Sequence, residues 1–146
     1  MTAAAPYTPP MPASTPPQHW TEVPFAPNTG TALAHRNDLP DGQATLRALD
    51  TGGTPEQAFR LILLRDGERV TAFVNRCPHF GVPLAAKQVH LIYSPHVSMT
   101  CNVHYSRFRW SDGACEAGEC VGEGLLPVPL DISAQGEIRI GSGQPA

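Results

Sequence analysis

Asn75-Arg76-Cys77-Pro78-His79-Phe80-Gly81 and, further along, Cys101-Asn102-Val103-His104 carry more chemical information than any other part of this chain. Each cluster supplies one thiol and one imidazole, as Cys-x-His in the first and Cys-x-x-His in the second. Pro78 and Gly81 turn the first cluster into a loop instead of prolonging the apolar run before it. Cysteine interleaved with histidine at close spacing reads first as metal chemistry.

Working outward, short apolar runs separated by turn residues surround both clusters. Ala44–Leu49, Phe59–Leu64 and Arg69–Asn75 are predicted strands, and the Asp66-Gly67 pair between the last two is a hairpin signal. Val89–Ser94 and Val97–Cys101 form a second predicted hairpin, turned at Pro95-His96. Arg107–Trp110 runs into Asp112-Gly113, and Val128–Ile132 and Glu137–Ile140 flank Gln135-Gly136. A single helical turn is expected near Pro55–Ala58. Strands this short predict an antiparallel sandwich or small barrel, with each Cys/His cluster in the loop that follows a strand. No internal repeat is present.

The chain has 146 residues, enough for one domain. Six of its prolines fall before Gln18 among Ala, Thr and Ser, where little can be buried. Residues 1–22 are therefore expected to be a Pro-rich, disordered arm and residues 23–146 the folded domain. A net charge of −3 and the lack of a Lys/Arg run exclude a nucleic-acid footprint. No apolar stretch approaches the ~18 residues that would cross a bilayer. The first residues carry neither a positive start nor an apolar core, so no secretory signal is expected and the predicted location is cytoplasmic.

Two thiolates and two imidazoles suit a zinc ion as well as iron. Zinc sites usually open with two cysteines, however, and a Cys-x-His opening is unusual for them. The alternative is a [2Fe–2S] cluster with one iron held through sulfur and the other through nitrogen. Two ferric ions, two sulfides, two thiolates and two neutral imidazoles sum to a neutral unit, whereas four thiolates leave a dianion. Reduction of the neutral unit is easier, which raises its potential to about −150 to +300 mV, against about −400 mV for plant-type ferredoxins.

The sequence resembles Rieske-type [2Fe–2S] proteins, close to the soluble bacterial Rieske ferredoxins and stand-alone Rieske domain proteins. The resemblance spans roughly residues 37–140. It rests on Asn75 to His79, Gly81, Pro83-Leu84, Cys101 to His104, Phe108, Asp112 to Cys115, Gly118 to Gly122 and Leu126 to Pro129. It implies an all-β Rieske iron–sulfur fold, an antiparallel β-sandwich with a small cluster-binding subdomain. It also implies that Cys77 and Cys101 bind one iron of a single [2Fe–2S] cluster while His79 and His104 bind the other.

Two departures from the family bear on tuning. Val82 and Val103 stand where cytochrome bc relatives have a disulfide joining the two loops. Ser106 matches a serine that donates to the cluster in those relatives, but Phe108 replaces a tyrosine that does the same. A lost donor destabilises the more negative, reduced cluster, so the expected potential lies in the lower or middle part of that range.

Cys115 and Cys120 are extra to the four ligands and are expected to be unbridged thiols, with a disulfide as the alternative. His90 and His96 superficially resemble an oxygenase iron pair but are expected to be surface residues, as are His19 and His35. Arg107 and Arg109 alternate with Phe108 and Trp110, as on a half-buried strand. Phe80, Val82, Pro83 and Tyr105 are candidates for an apolar docking rim.

No catalytic acid, base or nucleophile is evident. The expected role is a soluble electron carrier rather than an enzyme. The resemblance implies a flavoprotein reductase and an oxygenase or other acceptor as partners. The alternative is a small Rieske subunit or redox-sensing module of a larger oxidoreductase.

Overall fold

Phe59–Asp66 is buried on both sides, and the rest of the chain is arranged around it. The structure, a computed structural model, describes residues 17–142 apart from Gly52, Pro55, Glu56, His79, Phe80, Val103, His104 and Glu119. Its strands are β1 (Ala32–His35), β2 (Ala44–Leu49), β3 (Phe59–Asp66), β4 (Arg69–Val74), β5 (Ile92–Ser94), β6 (Ser98–Thr100), β7 (Arg107–Arg109), β8 (Cys115–Ala117), β9 (Pro127–Val128), β10 (Leu130–Ile132) and β11 (Glu137–Ile140). They form three antiparallel sheets, ordered β1-β11-β10, β2-β3-β4-β9 and β5-β6-β7-β8.

The second sheet is a middle layer. Ile62 and Leu64 point into one core with Phe73, Leu84, Phe108 and the four cysteines. Phe59, Leu61 and Leu63 point into another with Leu33, Ile138, Ile140 and Trp20. Burial on both faces is why β3 reads as a continuous apolar run rather than an alternating one. Each such leucine or isoleucine removed from water contributes about 1.5–3 kcal/mol.

The β3–β4 hairpin turns at Gly67, whose φ of 65° is the left-handed conformation the tight turn requires. The second predicted hairpin is present but shorter. Gln88–His90 is a 3₁₀ turn, and pairing begins only at Ile92 opposite Thr100.

The predicted strand Val128–Ile132 is divided at Pro129. Val128 pairs with Ala72 in the middle sheet, while Leu130 pairs with Ile140 in the first. Proline has no amide hydrogen to continue either ladder. Its carbonyl instead accepts from the Gly141 amide at 2.8 Å.

The boundary expected at residue 22 moves towards the N-terminus. Trp20 is only 5% exposed, lies in the core beside Leu33 and meets Phe59 edge-on at 6.4 Å. A large aromatic ring buried this way anchors the 3₁₀ turn Trp20–Glu22 to the domain. Residues 1–16 of the expected arm lie outside the described residues, as do Pro55 and Glu56 of the expected helical turn. Among the described residues no helix is long and apolar enough to cross a membrane.

Candidate metal centre

Cys77 follows β4 and Cys101 follows β6, so each thiol leaves the end of a strand already fixed in a sheet. Both side chains are fully buried in the core between the middle and third sheets. The two loops close in the same way. The Cys77 amide donates to the Val82 carbonyl at 2.7 Å, and the Gly81 amide donates back to the Cys77 carbonyl at 2.8 Å. In the second loop the Cys101 amide donates to the Ser106 carbonyl, and the Tyr105 amide donates back to the Cys101 carbonyl, both at 2.9 Å. Each cysteine is thus fixed through its own amide and carbonyl, leaving the thiol to face inward.

The loops are also tied to each other and to the sheet. The Asn102 amide donates to the Leu84 carbonyl at 2.9 Å, joining the second loop to the exit of the first. Asn75, 5% exposed, uses both ends of its amide: Nδ2 donates to the Ala85 carbonyl at 3.0 Å, and Oδ1 accepts from the Leu84 amide at 2.8 Å. A buried side chain satisfied this way costs about 1–3 kcal/mol to remove, because its partners are left unpaired. Val82 is half-buried and packs on the core. Val103, the position that pairs with it in the disulfide of the cytochrome bc relatives, lies outside the described residues.

A third segment closes over both loops. The turn between β8 and Leu125 brings Cys120 Sγ to 3.5 Å from Cys77 Sγ, with both side chains fully buried. Gly118, at φ 103°, lies so close to the second loop that a Cβ there would stand 2.7 Å from Ser106 Oγ and 2.8 Å from Ser106 Cα. The cysteines form no disulfide. Cys115 Sγ donates to the Ala117 carbonyl at 3.2 Å, and burial pushes its thiol above the ordinary range.

Ser106 is fully buried, and its Oγ has no hydrogen-bond partner among the described residues. An orphaned buried hydroxyl carries a desolvation cost and so points to a polar group that completes it. Phe108 is also fully buried, on β7 opposite Met99 and Cys115. A side chain without a hydroxyl suits that apolar position. A pair of inward thiols beside an unmatched hydroxyl fits a sulfide-bearing metal group.

The histidines expected to complete the donor set, His79 and His104, lie outside the described residues, as does Phe80 of the expected rim. Tyr105 is 66% exposed at the end of the second loop. Val121, next to Cys120 in the turn that reaches Cys77, is 63% exposed, and the sequence does not single it out as part of the apolar rim because only the approach of Cys120 to Cys77 brings its turn to the first loop.

His90 and His96 are both exposed. His96 sits in the β5–β6 turn at φ 65°, with Nδ1 2.7 Å from Asp66 Oδ1 and its ring 5.6 Å from that of Trp110. Arg107 and Arg109 face outward, paired with Glu116 and Asp112 respectively.

The model of the Rieske [2Fe-2S] domain family matches residues 30–130, well over half of the chain. No curated protein sequence matches it. Among solved structures, the ferredoxin of carbazole 1,9a-dioxygenase from Nocardioides aromaticivorans IC177 is 24% identical over 80% of this chain and all of that one, with a TM-score of 0.59. The Sphingomonas yanoikuyae B1 ferredoxin is 19% identical over 78% of this chain and 99% of that one, with a TM-score of 0.57. The terminal oxygenase of carbazole 1,9a-dioxygenase from Novosphingobium sp. KA1 matches 81% of this chain at 18% identity and a TM-score of 0.57, but only 32% of its own length. At these identities the likeness is one of fold, and two of the matched chains are covered almost end to end.

Proposed function

The chain belongs to the Rieske [2Fe-2S] domain family, and from that premise we propose that it is a cytoplasmic, ferredoxin-like carrier of single electrons between a reductase and an oxygenase or other acceptor. In this reading Cys77 and Cys101 hold one iron of the cluster and His79 and His104 hold the other. One observation supports it above the rest: two fully buried thiols open two loops closed by the same pair of hydrogen bonds, next to an unsatisfied serine hydroxyl.

When bound, the cluster supplies a one-electron couple whose potential is raised by imidazole ligation. The chain's own residues do the remaining work. Asn75 fastens the exit of the first loop through Leu84 and Ala85, and the Asn102 amide ties the second loop to that exit, which suits a centre that keeps its shape as its charge changes. Leu84, Phe108 and Met99 exclude water from the thiol side. Ser106 offers a hydrogen to the polar group it faces. Tyr105 and Val121 stay exposed, and they are suited to lie against a partner while the thiols remain enclosed.

Several matched structures are described as complexes of an oxygenase with a ferredoxin, which favours an oxygenase as acceptor. A flavoprotein reductase is the expected donor.

Visible absorption and electron paramagnetic resonance of the purified protein test the proposal. Expected are two iron and two sulfide per chain and a paramagnetic signal on one-electron reduction. Replacing any of the four proposed ligands with alanine should abolish both. A colourless protein containing zinc would refute it.

A second reading, a small Rieske subunit of a larger oxidoreductase, is favoured by where the N-terminal segment meets the domain. Pro17 and Gln18 line a cleft together with Arg76 and Pro78 of the first loop, so the N-terminal end of the described residues lies beside the proposed centre. Co-purification with a stable large partner would favour the subunit over the mobile carrier.

A further inference from the structure

The turn that carries Cys120 is built into the site without supplying any of the four expected ligands. It is held in place by two backbone hydrogen bonds, from the Glu123 amide to the Cys120 carbonyl at 2.8 Å and from the Cys115 amide to the Glu123 carbonyl at 2.9 Å. The same turn seats Gly118 against Ser106, so it touches the ends of both loops. A cysteine serving only to fill space would not need its sulfur 3.5 Å from the sulfur of Cys77, within hydrogen-bond reach for two such atoms.

The direction of that bond follows from the chemistry of the pair. A sulfur bound to metal does so as thiolate and has no hydrogen to give. It can only accept. With Cys77 read as a metal-bound thiolate, the hydrogen of this 3.5 Å contact comes from Cys120. Cys115, on β8 just before the turn, directs its own hydrogen to the Ala117 carbonyl and also interacts with the Cys120 side chain.

We propose that Cys120 is a positioning residue that sets the potential of the centre by donating its S–H to the sulfur of Cys77. The inference rests on Cys77 being a ligand. A donor on that sulfur draws charge away from the thiolate–iron unit and stabilises the form carrying the extra electron. It offsets part of what is lost where Phe108 has no hydroxyl to offer. It also makes the third turn, and not only the two ligand loops, a determinant of the redox couple.

The test compares loaded wild-type protein with Cys120→Ala, Cys120→Ser and Cys115→Ala, reading iron content and midpoint potential. Cys120→Ala should keep its iron and become about tenfold harder to reduce, equivalent to a fall of about 59 mV for one electron. Cys120→Ser, which retains a donor, should stay near wild type, and Cys115→Ala, which leaves the Cys120 donor in place, should shift much less than Cys120→Ala.

An iron-loaded Cys120→Ala with an unchanged midpoint would overturn the proposal. If Cys120→Ala does not hold iron, Cys120→Ser decides: a loaded serine variant at the wild-type midpoint supports the donor role, and a fallen midpoint refutes it. Loss of iron from both Cys120 variants but not from Cys115→Ala would make Cys120 a ligand, which also overturns it. A wild-type protein without iron–sulfur absorbance is a separate result, because it removes the ligand role of Cys77 itself.

Discussion

Tyr105 occupies in the second loop the place that Gly81 occupies in the first. Each amide donates to the carbonyl of the cysteine four residues earlier, and each residue is left-handed, with φ of 60° and 72°. Glycine adopts that conformation without penalty, whereas a side chain there costs roughly 1–2 kcal/mol. The tyrosine is mostly exposed, so burial does not repay the cost. Tyr105→Gly is expected to raise the stability of the loaded protein by about 1 kcal/mol in urea unfolding. If the ring is kept for contact with a partner, the same variant should slow electron delivery in stopped-flow mixing while leaving the midpoint potential in place.

Gly118→Ala should be costly for two separable reasons. Its φ of 103° disfavours any side chain, and the new methyl would press on the Ser106 backbone. Gly122, at φ 97°, shares the first problem but has open space where its Cβ would be. The difference in unfolding free energy between Gly118→Ala and Gly122→Ala therefore isolates the packing contribution, expected at about 1–3 kcal/mol. Iron retention should fall only in the former.

Trp20→Ala should destabilise the domain by about 3–5 kcal/mol, the range for emptying a large buried aromatic site. Denaturant unfolding followed by far-ultraviolet circular dichroism measures it. An effect below about 1 kcal/mol, as expected for a surface site, would return residues 17–22 to the arm.

Arg109 grips Asp112 through two hydrogen bonds, at 2.6 and 3.1 Å, and together with the Ala114 amide holds its carboxyl below the ordinary value. A lowered carboxylate stabilises the fold above its unfolded pKa, and that contribution is lost as pH falls through the folded one. Both side chains are about half exposed, so the effect is small. Arg109→Gln should accordingly be less stable than wild type at neutral pH, the gap narrowing as acid protonates Asp112. Urea midpoints measured from pH 7 down to pH 2.5 follow it, and a gap that widened in acid would contradict the assignment.

Much of this architecture was legible because local signals agreed with tertiary need. Asp66-Gly67 between apolar runs marked a hairpin, and β2 begins and ends where its apolar pattern does. Of the two Cys/His clusters, the spacing marked Cys77 and Cys101, which the fold buries in one core. Other parts were not legible, for physical reasons. β8 is only Cys115-Glu116-Ala117, too short to show a period, and it exists because Phe108 and Arg107 offer it an edge. Trp20 follows a proline-rich stretch whose composition argues against burial, and only the ring's partner Phe59, far along the chain, reverses that. The approach of Cys120 to Cys77 joins residues from different turns, and nothing in the intervening sequence signals it.

β3 leaves its odd-numbered leucines on one side and its even-numbered aliphatics on the other. It is a party wall between two chambers, and neither chamber owns it. A disturbance beside the cysteines therefore has no private place to dissipate, because close-packed interiors transmit displacement instead of absorbing it. The chamber around Trp20, remote from any metal chemistry, is in this sense a listening post for the state of the other.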